Sequence, residues 1–139
     1  MDSSFDQVIA SYHRARDSGE LFDTFYVIFL AKSPEIPPMF ARTDFPHQKL
    51  ILRESILEML VFAQMGSGRD EIEGLAERHR QLNVKPAHYE LWLDALCEAL
   101  AKHDCEFNST FERMWRDAMR KGIQLMSAIA QLPSQTHAT

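Results

Sequence analysis

Glycine and proline interrupt this chain in only a few places, and everything between the interruptions carries a helical period. The breaks are Asp17-Ser18-Gly19, Ser33-Pro34 followed by Pro37-Pro38, Gly66-Ser67-Gly68, the stretch from Asn83 to Pro86, and Asp104 to Glu106. Gly ends helices because its backbone turns freely, Pro because it lacks an amide and clashes with the turn before it. No run alternates apolar and polar residues over a useful strand length. The spacing predicts six helices, at 4–16, 20–32, 45–64, 70–82, 87–103 and 108–132, with a short Pro-bounded turn closing at Phe40. The tail from Pro133 is Ser, Gln, Thr and Ala and is expected to fray.

Each segment has one apolar face. Phe5, Val8, Ile9 and Tyr12 recur on the first. Phe22, Phe25, Tyr26, Phe29 and Leu30 make the second aromatic inside. Leu52, Ile56 and Leu60 repeat every four residues on the third, with Met59 beside them and Gln48 leading the stripe. Leu93, Leu96 and Leu100 follow Tyr89 on the fifth, with Trp92 beside them, and Phe111, Met114, Trp115, Ala118, Gly122, Leu125, Met126 and Ile129 face inward on the last. Thr43 or Asp44 can cap the third helix and Asn108 or Ser109 the last. Such faces must bury against one another, which makes the fold class all-α.

The 139 residues suit one domain, 1–139, with enough chain for a substantial core. The net charge of −5 is spread without a basic run, so neither a nucleic acid nor a membrane surface is an expected partner. Cys97 and Cys105 stand eight apart, roughly 12 Å of helix rise against the ~7 Å that a disulfide spans between Cα atoms. They read as free thiols of a reducing compartment. The N-terminus lacks the apolar segment of a signal peptide and no apolar run could span a bilayer, so a cytoplasmic location is expected.

The chemistry concentrates in residues 75–92, LAERHRQLNVKPAHYELW. His79 is in phase with Leu75 and Leu82, so it points inward, and Glu77, Arg78 and Arg80 fall on the outer face. A neutral imidazole on an apolar face is either a satisfied core histidine or a metal ligand. A ligating ring would need an acceptor for its other N–H, and the carbonyl of Leu75 is well placed. Tyr26 and Gln48 face the same interior from other helices. Buried Tyr and Gln need hydrogen-bond partners, and two such donors aimed into an apolar cavity suit a bound diatomic. Phe40 closes the Pro-bounded turn. A zinc site is not expected, because a helix break separates His79 from His88.

In combination these stretches resemble the bacterial globins. FYVIFLAKSPEIPPMF (25–40) is similar to the segment of bacterial globins and flavohaemoglobins that carries a distal tyrosine and, thirteen residues on, a phenylalanine stacked on haem. Gln48 with Leu52 resembles their distal Gln–Leu pair. His79, the Lys-Pro corner and Tyr89 resemble their proximal segment, with Val84 at the corner touching the haem edge and Trp115 matching an aromatic of the last helix. The resemblance covers roughly residues 22–129. It implies a globin fold, a three-over-three helical sandwich, holding haem b. His79 would bind iron, Tyr26 and Gln48 the gas, and Phe40, Leu52, Val84 and Tyr89 the cofactor. His47 is the alternative distal group, but Gln48, not His47, is in phase with Leu52 and Ile56.

Two departures shape the expected function. Flavohaemoglobins carry a glutamate late in the last helix, beside the proximal histidine and tyrosine. Here the last acid of that helix is Asp117 and the corresponding stretch reads SAIAQ, with Gln131 as a neutral substitute. Without the carboxylate, peroxidase-like chemistry is not expected. No flavin or nicotinamide domain follows, so any turnover needs an external reductase. The first reading is therefore a globin that reversibly binds O2, NO or CO and converts NO to nitrate when a reductant is supplied. Residues 33–57 also resemble the globin domains of bacterial sensors, which dimerise through their last two helices. That makes a gas or redox sensor the second reading, acting through a partner or a homodimer interface. A haem-free interaction protein with a globin-like fold is the third.

Overall fold

The computed structural model of the chain describes residues 4–130. Those residues form α1 (Ser4–Arg16), α2 (Leu21–Leu30), a 3-10 turn (Pro37–Phe40), α3 (Phe45–Met65), α4 (Arg69–Gln81), α5 (Pro86–His103) and α6 (Ser109–Ala130). No strand occurs among the described residues. Gln131 and the tail from Pro133 lie outside them.

Local chemistry sets the helix ends. Asp44 caps α3, accepting from the His47 amide, and Pro46 occupies the first turn, where its missing N–H costs nothing. α3 stops where Gly66 takes the left-handed conformation (φ +69°) and its amide returns to the Phe62 carbonyl at 2.9 Å. Asn108 Oδ1 accepts from the Phe111 amide at 2.9 Å and caps α6. α2 is shorter than its apolar period predicts. The amides of Ala31 and Lys32 bond the carbonyls of Ile28 and Phe29, three residues back, so the chain tightens out of α-geometry ahead of Ser33-Pro34. Proline disfavours helical backbone in the residue before it, and the helix ends early for that reason.

The helices pack in two layers, α1, α3 and α4 over α2, α5 and α6. α2 lies along α5, α3 and α4 both pack on α6, and α1 crosses α5 and α6. The core between them is apolar and aromatic, with Tyr12, Phe25, Ile56, Leu96, Leu100 and Trp115 fully buried. No described helix is long and apolar enough to cross a membrane.

One polar knot is buried in this core. Asp104, at the end of α5, has no exposed side-chain surface. It accepts from Ser11 Oγ (2.6 Å), Arg14 Nε (2.6 Å) and Nη2 (3.1 Å), and the Glu106 amide (3.0 Å). Trp115 Nε1 donates to the same Ser11 hydroxyl at 3.0 Å. The knot joins α1, α6 and the α5–α6 corner. Burial works against the charge, but the hydrogen bonds from Arg14, Ser11 and Glu106 hold the Asp104 carboxyl below the ordinary carboxylate range. Asp104→Ala should therefore lower unfolding free energy by about 2–4 kcal/mol, read from urea midpoints, because Arg14 and Ser11 lose their acceptor. The contribution of Asp104 should be complete above its unfolded value of 3.8 and fade as pH falls through the lower folded one.

Candidate functional site

The site begins at the end of α4. The carbonyl of His79 accepts from the amides of both Leu82 and Val84 at 3.1 Å, and Asn83 turns through a positive φ of 61°. Lys85 is then extended and Pro86 opens α5. This corner turns the chain back so that the His79 and Tyr89 rings meet, centroids 5.8 Å apart and tilted by 47°. Nδ1 of His79 lies 2.6 Å from the Leu75 carbonyl. A carbonyl only accepts, so Nδ1 carries the proton and Nε2 the lone pair. Burial holds the imidazole pKa below its ordinary value, with the positive charge of Arg78 adding to the effect and the Leu75 bond opposing it. His79 is thus a neutral ring whose Nε2 has no hydrogen-bond partner among the described residues.

His79 lines a cavity of about 250 Å³. Tyr26 of α2, Phe40 of the 3-10 turn, Gln48 and Leu52 of α3, Val84 of the corner and Tyr89 of α5 line it too, so the structure brings these residues together with His79 around one space. Gln48 lies beside Tyr26, close enough for its amide to favour the ionised phenol. Burial nonetheless pushes the Tyr26 phenol up to about 12, and pushes Tyr89 up to about 12 as well. Both remain O–H donors at neutral pH. The Tyr26 ring is fixed edge-on by Phe25 (4.9 Å), Phe45 (5.4 Å) and Phe40 (5.8 Å). His47, the alternative to Gln48, is exposed and does not line the cavity.

Two features differ from the expectation. Arg78 lines the cavity instead of lying wholly on the outer face of α4. His88, expected to be cut off by the helix break, is buried and lines the same cavity as His79. Its Nδ1 accepts from the Lys85 amide at 3.0 Å, so its Nε2–H donates to Glu35 at 2.8 Å and pins the loop before Phe40 to the start of α5. The signal for it was present, a histidine two residues after a helix-opening proline, where a side chain can reach back to the cap. Trp115 belongs to the Asp104 knot and does not line the cavity.

α6 supplies the base through Ile123 and Met126, and α3 adds Met59. A Cβ at Gly122 would lie 3.1 Å from both Cγ and Cε of Met59, so α3 and α6 approach this closely only because position 122 has no side chain.

Two helical layers enclose a largely apolar cavity with His79 on its wall, the architecture of an all-α protein with a buried ligand-sized site. The globin family profile matches residues 23–126, and the chain belongs to the globin family. It is similar to a protein from Pseudomonas aeruginosa PAO1 whose crystal structure is described as structurally highly homologous to a human hemoglobin. The identity is 38%, the match covers 91% of this chain and 98% of that one, and the TM-score is 0.87. No curated protein matches.

Gly122→Val should overpack the α3–α6 contact and cost about 1–3 kcal/mol of stability. Combining it with Met59→Ala should recover part of that loss in a urea titration, as expected for two residues competing for one space.

Proposed function

We propose that this globin binds haem b in the cavity, where His79 would ligate its iron and Tyr26 and Gln48 would donate to a diatomic gas such as O2. The observation that carries the reading is the state of His79. It is a half-buried neutral imidazole, with Nδ1–H committed to Leu75 and an Nε2 without a partner among the described residues, on the wall of a cavity lined there by no Asp or Glu. Nitrogen lone pairs of neutral imidazole are what haem iron takes axially, and a second-shell acceptor fixing the other nitrogen is the usual companion. The rest of the lining suits a flat apolar cofactor. Phe40, Leu52, Val84 and Tyr89 supply its contacts, and the polar groups are few. The volume lies just under the ~300–1,000 Å³ of typical small-molecule sites, so a large planar cofactor would keep one edge at the mouth.

Haem supplies the iron that binds the gas; the chain supplies the environment. Tyr26 O–H and the Gln48 amide are donors for a ligand that gains negative charge, in a pocket where burial strengthens them. The acceptor for His79 is a neutral carbonyl, which leaves the imidazole less electron-donating than a carboxylate would. That supports holding a gas over cleaving O–O bonds. Conversion of NO to nitrate is the compatible enzymatic activity, with an external reductase.

Purified protein reconstituted with haem should show a Soret band that His79→Ala loses or shifts. Tyr26→Phe should raise the O2 off-rate about fivefold or more, since one donor in a dry pocket contributes about 1 kcal/mol or more. An unchanged off-rate would sink the role given to Tyr26, and haem uptake by His79→Ala with a wild-type spectrum the role given to His79.

A further inference from the structure

We infer, building on the haem reading above, that Glu35 and His88 are positioning residues that latch residues 33–43 over the cavity. They act through Phe40, and opening of this cover sets how long a planar cofactor stays bound. The cover contributes Met39, Phe40 and Thr43 to the cavity wall. Its own backbone bonds are local. The Ile36 amide donates to the Ser33 carbonyl (3.1 Å), Met39 to Ile36 (3.0 Å), Ala41 to Pro38 (3.3 Å) and Thr43 to Phe40 (3.1 Å). Pro37 and Pro38 fix two φ angles between them. Overlapping turns with a stiff middle move as one piece. Two kinds of contact hold that piece down. One is apolar: Ile36 is fully buried, and the Phe40 ring stacks on Phe45 (6.0 Å, 24°) and meets Tyr26 (5.8 Å) and Phe29 (6.1 Å) edge-on. The other is polar. Among the described residues, Glu35 carries every hydrogen bond and ion pair that leaves residues 33–43.

The polar tie runs through a ring that has a second commitment. His88 Nδ1 accepts from the Lys85 amide at 3.0 Å, which leaves the proton on Nε2, 2.8 Å from Glu35 Oε1. The neighbouring amide, that of Val84, donates to the carbonyl of His79. The corner that places His79 and the cover that carries Phe40 are therefore joined through one imidazole. The two partners are unequal. The His88 side chain is 5% exposed, that of Glu35 56%. Packing and the Lys85 bond fix the donor, whereas the acceptor sits at the surface. On release the carboxylate is hydrated at once, but the buried Nε2–H is left without an acceptor until water follows it. That cost favours the closed cover. The Lys85–Glu35 ion pair, 3.8 Å between two exposed groups, adds little to it.

The test uses the full chain and changes Glu35, because a substitution at buried His88 would also remove the bond to the Lys85 amide. Two rates are read: hydrogen exchange of the Ile36, Met39, Ala41 and Thr43 amides in the haem-free protein, and transfer of hemin from the loaded protein to an excess of a haem-scavenging acceptor protein. Glu35→Ala should raise both by about two- to fivefold, the range for one half-exposed hydrogen bond, with the urea midpoint nearly unchanged. Glu35→Gln, whose amide oxygen still accepts from Nε2–H, should restore most of both rates. Rates in Glu35→Ala equal to wild type overturn the inference while leaving the haem reading standing. So do faster exchange with unchanged hemin transfer, equal acceleration of exchange throughout the chain, and Glu35→Gln behaving as Glu35→Ala. If the wild-type chain takes up no hemin, the haem reading falls and the inference with it.

Discussion

The site depends on how α4 stops. Two amides, those of Leu82 and Val84, converge on the one carbonyl of His79. Asn83 takes the left-handed backbone that this convergence demands, and Pro86 has no amide with which to continue the helix. The histidine therefore sits in the last turn, its ring held by a carbonyl one turn earlier and its Nε2 lone pair without a donor among the described residues. Lys85 and Pro86 then restart the chain at an angle that lays Tyr89 against His79. Continuing α4 by one turn would move both walls at once.

Polar chemistry is distributed unevenly through the core. At the end of α5 remote from Pro86 it is concentrated in the Asp104 knot, where a buried carboxylate satisfies three helical segments together. A network of that kind is costly to disturb, which makes it a specific joint for α1 and α6. The cavity is built the opposite way. Its walls are largely apolar, and the polar groups on them make few hydrogen bonds, so little would have to be broken for a ligand to enter. Close approach of α3 and α6 at Gly122 keeps its base tight.

Burial sets the protonation states of the rings on the cavity wall. It raises the phenols of Tyr26 and Tyr89 to about 12 and lowers the imidazole of His79, all in the direction of the neutral form. Neutral phenols donate, and a neutral imidazole with Nδ1 protonated offers Nε2. Desolvation thus prepares donors on α2 and α5 and a lone pair on α4, with Arg78 adding to its effect on His79.

Helical spacing and the Gly and Pro breaks determined the six segments, their order and the inward phase of His79, Tyr26, Gln48 and Leu52. Periodicity specifies direction around a helix axis to within a residue or so, and these residues lie near the middle of their apolar stripes. The family resemblance joined them into one pocket before any contact was known. Residues at stripe borders were not legible. Arg78 is one position from His79, and whether such a side chain meets the cavity or solvent depends on how α4 tilts against α6. His88 was hidden for a different reason: its partner Glu35 is fifty-three residues away, and no local pattern announces that pair. Trp115 was legible as core but not as the partner of Ser11, because that bond spans the first and last helices. Sequence by itself thus determined which residues face inward. The packing of helices distant in the chain decided which of them share a wall, because only the fold brings those surfaces within hydrogen-bonding distance.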